Sequence, residues 1–213
     1  MNRLPQLRAA LCGPLFTLAG CFSTATMHTA RPIAPGSWQG GVALGSSVNR
    51  GPSDDGWIPS LEAQVRYGFH ERVDAGIHLT NFTSLGVDAN VALLLGEHSA
   101  LSIDPSAQWY GPVRYYWLPV LLDFYTRDDL TLTASVRPGY MDVRADFDED
   151  EDEDEVFPLD DVRTSATLLR LGLAAHCRTG DHMTLVPELG VTWIDPEDGD
   201  RFVVYSVSLG FEF

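Results

Sequence analysis

Charged residues recur at alternate positions along several apolar stretches of this chain: Glu62 with Arg66, then Asp74, Asp88, Asp104, Asp123, Arg137, Arg170, Glu188 and Glu212. On a strand, alternate residues share a face, so these side chains would line one side of a sheet or the inside of a barrel. Two kinds of chemistry follow. A ring of carboxylates around a wet passage would select cations, whereas carboxylates interleaved with arginines would form an ion-pair network that fills the interior. Lumen width grows with strand number, so a barrel of about ten strands predicts a filled interior. Buried ions must be paired to be tolerated, and seven acids outnumber three arginines in this set. The surplus acids are expected to be hydrated, protonated or near a rim.

Asp148 to Glu155 is a run of eight consecutive acids. Asp148, Glu149, Asp150, Glu151 and Asp152 could hold a divalent cation, coupled to metal-bridged lipopolysaccharide outside. No glycine makes the turn of a defined calcium loop, so the run reads as a solvated, self-repelling loop over 148–163, with no cofactor expected. Asp195, Glu197, Asp198 and Asp200 read as a turn. His70, His98 and His182 fall between segments and His28 near the start, without the spacing of a metal motif. No Gly-x-Ser-x-Gly, His-Glu-x-x-His or Walker loop is present. His78 and His176 with nearby acids could imitate a hydrolase dyad, but no catalysis is expected.

The elements that must carry these groups are strands. Ten segments are predicted, at 37–47, 57–68, 72–82, 84–95, 99–110, 114–125, 129–147, 165–177, 182–194 and 201–213; eight or twelve strands are the alternatives. About nine to eleven tilted residues suffice to cross a bilayer. Leu61, Ala63, Val65 and Tyr67 alternate with Glu62, Gln64, Arg66 and Gly68, and Leu169, Leu171, Leu173 and Ala175 oppose Arg170, Gly172 and His176. The apolar faces of such segments carry no charge, as hydrocarbon demands, since an arginine near the midplane costs about 2 to 4 kcal/mol. The reading is an all-β, antiparallel, up-and-down transmembrane barrel. A soluble, lipocalin-like barrel is the alternative, with the apolar faces turned inward.

Connections around 48–56, 83, 111–113, 148–164 and 195–200 read as outer loops, against short periplasmic turns at 69–71, 96–98, 126–128 and 178–181. Trp57, Trp109, Tyr110, Tyr115, Tyr116, Trp117, Tyr140 and Trp193 would form the outer aromatic girdle; Tyr67, Phe69, Phe124, Tyr125, Phe211 and Phe213 would form the inner one. Pro105, Pro119, Pro138 and Pro187 each remove a ladder donor, so bulges are expected, most clearly at Pro138-Gly139.

The two ends add addresses. In the last segment Val203, Tyr205, Val207, Leu209, Phe211 and Phe213 share one face, and the chain stops on phenylalanine. This resembles the closing strand of bacterial outer-membrane β-barrel proteins, which implies recognition of Phe213 by the barrel-assembly machinery and contact with outer-membrane lipid and lipopolysaccharide. Met1 to Gly20 carries Arg3 and Arg8, no acid, and an apolar run too short to span a bilayer, as in a signal peptide. Leu18-Ala19-Gly20-Cys21 resembles the lipobox of bacterial lipoproteins, which implies cleavage before Cys21 and its acylation. Residues 21–36, with Arg31-Pro32 and Pro35-Gly36 and no periodicity, read as a lipidated tether to a barrel over 37–213. The implied location is the outer membrane of a Gram-negative-type bacterium, lipid-anchored on the periplasmic side.

Loss of residues 1–20 would remove two of the 14 basic groups, all arginine, and none of the 30 acidic ones, leaving a formal charge near −18. Such an excess repels nucleic acid. With Cys12 removed and Cys21 acylated, only Cys177 remains and no internal disulfide can form. The functional expectation is a structural or binding role, or narrow passage of a small solute; an outer-membrane enzyme acting on lipid or peptide is the alternative.

Overall fold

The computed structural model describes residues 25–50, 57–145, 162–180, 182–197 and 199–213. Alternation of small or polar with apolar side chains drives the chain into twelve strand segments: β1 (Trp38–Arg50), β2 (Trp57–His70), β3 (Val73–Thr80), β4 (Ser84–Leu95), β5 (Ala100–Ile103), β6 (Ser106–Tyr110), β7 (Val113–Trp117), β8 (Val120–Arg127), β9 (Leu130–Ala145), β10 (Val162–Arg178), β11 (Thr184–Pro196) and β12 (Phe202–Glu212). Segments β5 and β6 are halves of one strand, both paired with β4, and β7 and β8 are halves of the next, both paired with β9. Ten antiparallel strands therefore close into a barrel. The seam joins β1 to β12, with Gly41 opposite Glu212, and ends in reciprocal Gly40–Phe213 backbone hydrogen bonds of 2.9 and 3.0 Å.

The apolar faces point outward. Leu44, Ile77, Leu173, Leu189 and Val207 are among the exposed large hydrophobic residues, while Glu62, Arg66, Asp74, Asp123, Arg170 and Glu188 are buried inside. This orientation replaces the lipocalin-like alternative, which needs the reverse. An exposed aliphatic band of this extent suits hydrocarbon and not water. Among the described residues, outward charges on the strands occur only near their ends, as with Arg114, Asp142 and Arg144 at one rim and Arg127 and Arg178 at the other.

The rim carrying the connections 71–72, 96–99, 128–129 and 179–183 is termed the turn rim, and the opposite one the loop rim. The expected length contrast is only partly present, because 81–83 and 111–112 at the loop rim are as short as the turns. Strand β10 starts at Val162, inside the stretch 148–163 expected as loop.

The prolines act differently from expectation. Pro138 and Pro187 sit in register within continuous strands, opposite Leu169 and Leu209, and the register shifts fall at Gly68/His70, Ala92/Leu94 and Asp123/Tyr125. Pro105 and Pro119 interrupt their strands. Pro105, Pro119 and Pro138 still accept through their carbonyls: Ala89 N–H donates to Pro105, Asp104 N–H to Pro119 and Leu118 N–H to Pro138, at 3.2, 2.9 and 2.9 Å. Three missing donors thus line up across neighbouring strands. Gly139 is a seat, since a Cβ there would strike the Trp117 ring.

Candidate functional site

The inward face carries all ten charges singled out in the sequence, and the barrel gathers most of them into two clusters. In the first, Arg66 on β2 donates through Nε to Asp74 Oδ1 of β3 at 2.8 Å, bonds Asp88 of β4, and lies 3.8 Å from Asp104, between β5 and β6. Two histidines join it. His78 Nδ1 lies 3.3 Å from Asp88 Oδ2, and His28 Nε2 lies 3.0 Å from Asp104 Oδ2. In the second cluster, Arg170 on β10 donates to Glu188 Oε1 of β11 at 3.0 Å and to Ser206 Oγ of β12 at 2.7 Å. Asp123 accepts from Thr133 Oγ1 at 2.7 Å, and Glu212 lies 3.6 Å from His176 Nδ1. Inward glycines make the space: a Cβ on Gly190 would collide with the Arg170 guanidinium, and one on Gly86 with the His78 ring.

Residues 25–36 run inside the barrel, although the sequence reads as an external tether there. The stretch begins at the turn rim, where Gly36 N–H donates to Gly68 O at 2.8 Å and the Arg31 guanidinium bonds the carbonyls of Gly96 and Glu97 at 2.6 and 3.2 Å. It then climbs to mid-height with Ala25, Thr26, Met27 and Ala30 buried. Its main chain meets the surplus acids. Ile33 N–H donates to Asp74 at 2.9 Å, Ala30 N–H to Asp123 at 3.0 Å, Thr26 N–H to Glu188 and Ala25 N–H to Glu62 at 3.1 Å. Gln64 Nε2 donates to the Met27 carbonyl at 2.7 Å. Arg137, the remaining inward arginine, reaches Thr26 Oγ1 and the Ala25 carbonyl. The seven carboxylates therefore share three arginines and four amide donors and lie beside three histidines, and the amides are a partner that sequence reading omits.

Toward the loop rim the interior changes character. Val113, Tyr115 and Trp117 of β7 pack with Met141, Val143, Ala166, Leu168, Ile194, Phe202 and Val204 in one buried cluster, and Tyr110 packs against it. Tyr115 and Trp117 are thus core residues, not girdle, and Tyr110 turns toward them. Trp57, Trp109, Tyr116, Tyr140 and Trp193 remain exposed at the outer level, with Phe69, Phe124 and Phe213 at the inner one. Between the apolar cluster and the buried end of the segment lies a cavity of about 40 Å³, touching His28, His78, Asp88, Asp104 and Ser106. It has room for a few water molecules.

His70, His98 and His182 are exposed, and no group of three or more metal-ligating side chains occurs among the described residues. Cys21 and the acidic run Asp148, Glu149, Asp150, Glu151 and Asp152 lie outside the described residues.

No known family profile matches this sequence, and no curated protein matches it significantly. Solved structures do. The outer membrane protease OmpT from Escherichia coli superposes with a TM-score of 0.50 at 7% identity, covering 89% of this chain and 99% of that one. This chain has the fold of the outer-membrane β-barrels. Neisserial surface protein A aligns over 82% of this chain and 95% of its own, with a TM-score of 0.47 and 7% identity. The NanC porin aligns over 81% and 98%, at 0.46 and 11%. At such identities the likeness concerns the fold alone.

Proposed function

We propose that this protein is a Gram-negative outer-membrane barrel held shut by its own N-terminal segment, with a structural or binding role and no catalysis. The observation that carries this reading is the seating of residues 25–36 on buried carboxylates from four strands, Glu62, Asp74, Asp123 and Glu188. Among the described residues, main chain and ion pairs occupy the lumen, which opposes passage of a solute. The aliphatic outer face and the aromatic residues at both levels support the membrane location. The full-length protein in planar bilayers is expected to show no steady conductance. Proline at Thr26 and Ala30 removes the amides donated to Glu188 and Asp123 and unseats the segment, so that variant is expected to open a cation-preferring conductance. A steady open channel in the unmodified protein would overturn the plugged reading.

Acylation of Cys21 belongs to the proposal and rests on Leu18-Ala19-Gly20-Cys21. Incorporation of a clickable fatty acid, abolished by Cys21→Ser, is the expected result. The enzymatic alternative draws on one observation, that Ser106 shares the lumen cavity with the His28–Asp104 and His78–Asp88 pairs. Labelling of Ser106 by a serine-reactive fluorophosphonate would favour it over the plug.

A further inference from the structure

Many of the contacts that hold residues 25–36 are made by their main chain. Four amides, of Ala25, Thr26, Ala30 and Ile33, donate to four buried carboxylates. Three carbonyls, of Ala25, Met27 and Thr29, accept from Arg137, Gln64 and Asn90. Every polypeptide able to bend as this segment does at His28, Ala30 and Arg31 presents the same donors and acceptors, so these contacts read backbone and direction more than sequence. Side-chain demands fall at three positions: Thr26 Oγ1 donates to Glu188 Oε1 at 3.0 Å and accepts from Arg137, His28 Nε2 lies 3.0 Å from Asp104 Oδ2, and Arg31 reaches the turn rim. Ala30 packs against Ala100 and Leu121, and Ala25 and Met27 against Ala43, places that admit small or slim residues. The wall also selects by charge. Its surplus of carboxylates disfavours acidic residues, and the stretch 25–36 contains His28 and Arg31 but no acid. At the turn rim Arg31 is gripped by turn carbonyls alone, a clamp that any guanidinium at that position would satisfy.

We propose that the lumen is an acceptor site for a polypeptide segment free of acidic residues, and that residues 25–36 are its resident, displaceable occupant. The ligand class is a stretch of about twelve small, neutral or basic residues that enters at the turn rim and runs with its N-terminal end toward the loop rim. The inference rests on the plugged reading and adds that the site is not private to this chain. Charge-assisted hydrogen bonds are roughly twice as strong as neutral ones, so four carboxylates aimed at amides make a site with backbone affinity.

A site-specific protease sequence inserted between the exposed Gly36 and Ser37 allows the segment to be severed after the complete chain has folded in lipid vesicles. Heat-modifiable gel mobility compared with the unmodified protein confirms that the inserted chain is a folded barrel. After cleavage, a fluorescent synthetic peptide of residues 25–36 is added and its anisotropy followed. Saturable exchange into the cleaved barrel, and none into the uncleaved one, is expected. The same peptide N-methylated at Thr26 and Ala30, or carrying Arg31→Glu, is expected to bind at least about tenfold more weakly. Equal binding of the methylated peptide would overturn backbone reading. Retention of the severed segment against excess peptide would overturn displaceability, and so would a barrel that empties and admits no peptide. Conductance by the uncleaved protein would instead sink the plugged reading, which keeps the two failures apart.

Discussion

The two halves of the lumen are filled by different physics. On the turn side, arginines, carboxylates and the main chain of residues 25–36 satisfy one another; on the loop side, Val113, Tyr115, Trp117, Leu168, Ile194 and Val204 pack as an apolar core. In the first, every group depends on a named partner, and removing one strands the others without hydration. In the second, loss of a side chain leaves a cavity whose cost scales with its volume. A barrel with apolar walls facing lipid thus also holds an apolar core, where its inner face no longer needs to bind water or ions.

The sharpest way to break this contrast is Arg66→Met, which leaves Asp74, Asp88 and Asp104 without their shared cation. Breaking a buried pair from one side costs about 3 to 5 kcal/mol, and urea unfolding in vesicles, followed by tryptophan fluorescence, should show a loss of that order. On the apolar side, Leu168→Ala should cost about 2 to 4 kcal/mol by the same assay, with no effect on plugging; opening of a conductance would show that the apolar cluster, too, helps to keep the lumen shut. On the outer wall, Val207→Arg should cost about 2 to 4 kcal/mol if that face lies in hydrocarbon. Ser206→Arg is no control for a wet lumen, because Ser206 accepts from the buried Arg170 at 2.7 Å and a larger side chain there meets a filled space. The smallest effect is expected for Arg201→Gln. Its partner Asp195, at 2.7 Å, is exposed, and exposed pairs add little, so the urea midpoint should not move.

Much of the wall was legible in the chain. Period-two alternation located the strands to within a few residues, and within each strand one parity held the inward charges from Glu62 to Glu212. The rest was hidden for physical reasons. A bent segment enclosed by a lumen has no amphipathic period, so residues 25–36 read like a linker; the signal that pointed to it was the unbalanced count of inward acids. Tyr115 and Trp117 were read as girdle because aromatics near strand ends usually face lipid, yet they share parity with Leu121 and Asp123, which point inward. The prolines misled because a lost donor costs little where the facing strand is itself interrupted, as Leu118 and Pro119 are beside Pro138.

The depth of Ala25 constrains any membrane anchor upstream of it. Four extended residues reach about 14 Å, and the lumen between Ala25 and the turn rim is already occupied by the segment that continues from it. With that segment seated, Ala25 itself lies away from the turn rim, the side on which the sequence implies a periplasmic anchor. If Cys21 is acylated, as proposed, anchoring on that side and plugging the lumen compete for the same twelve residues.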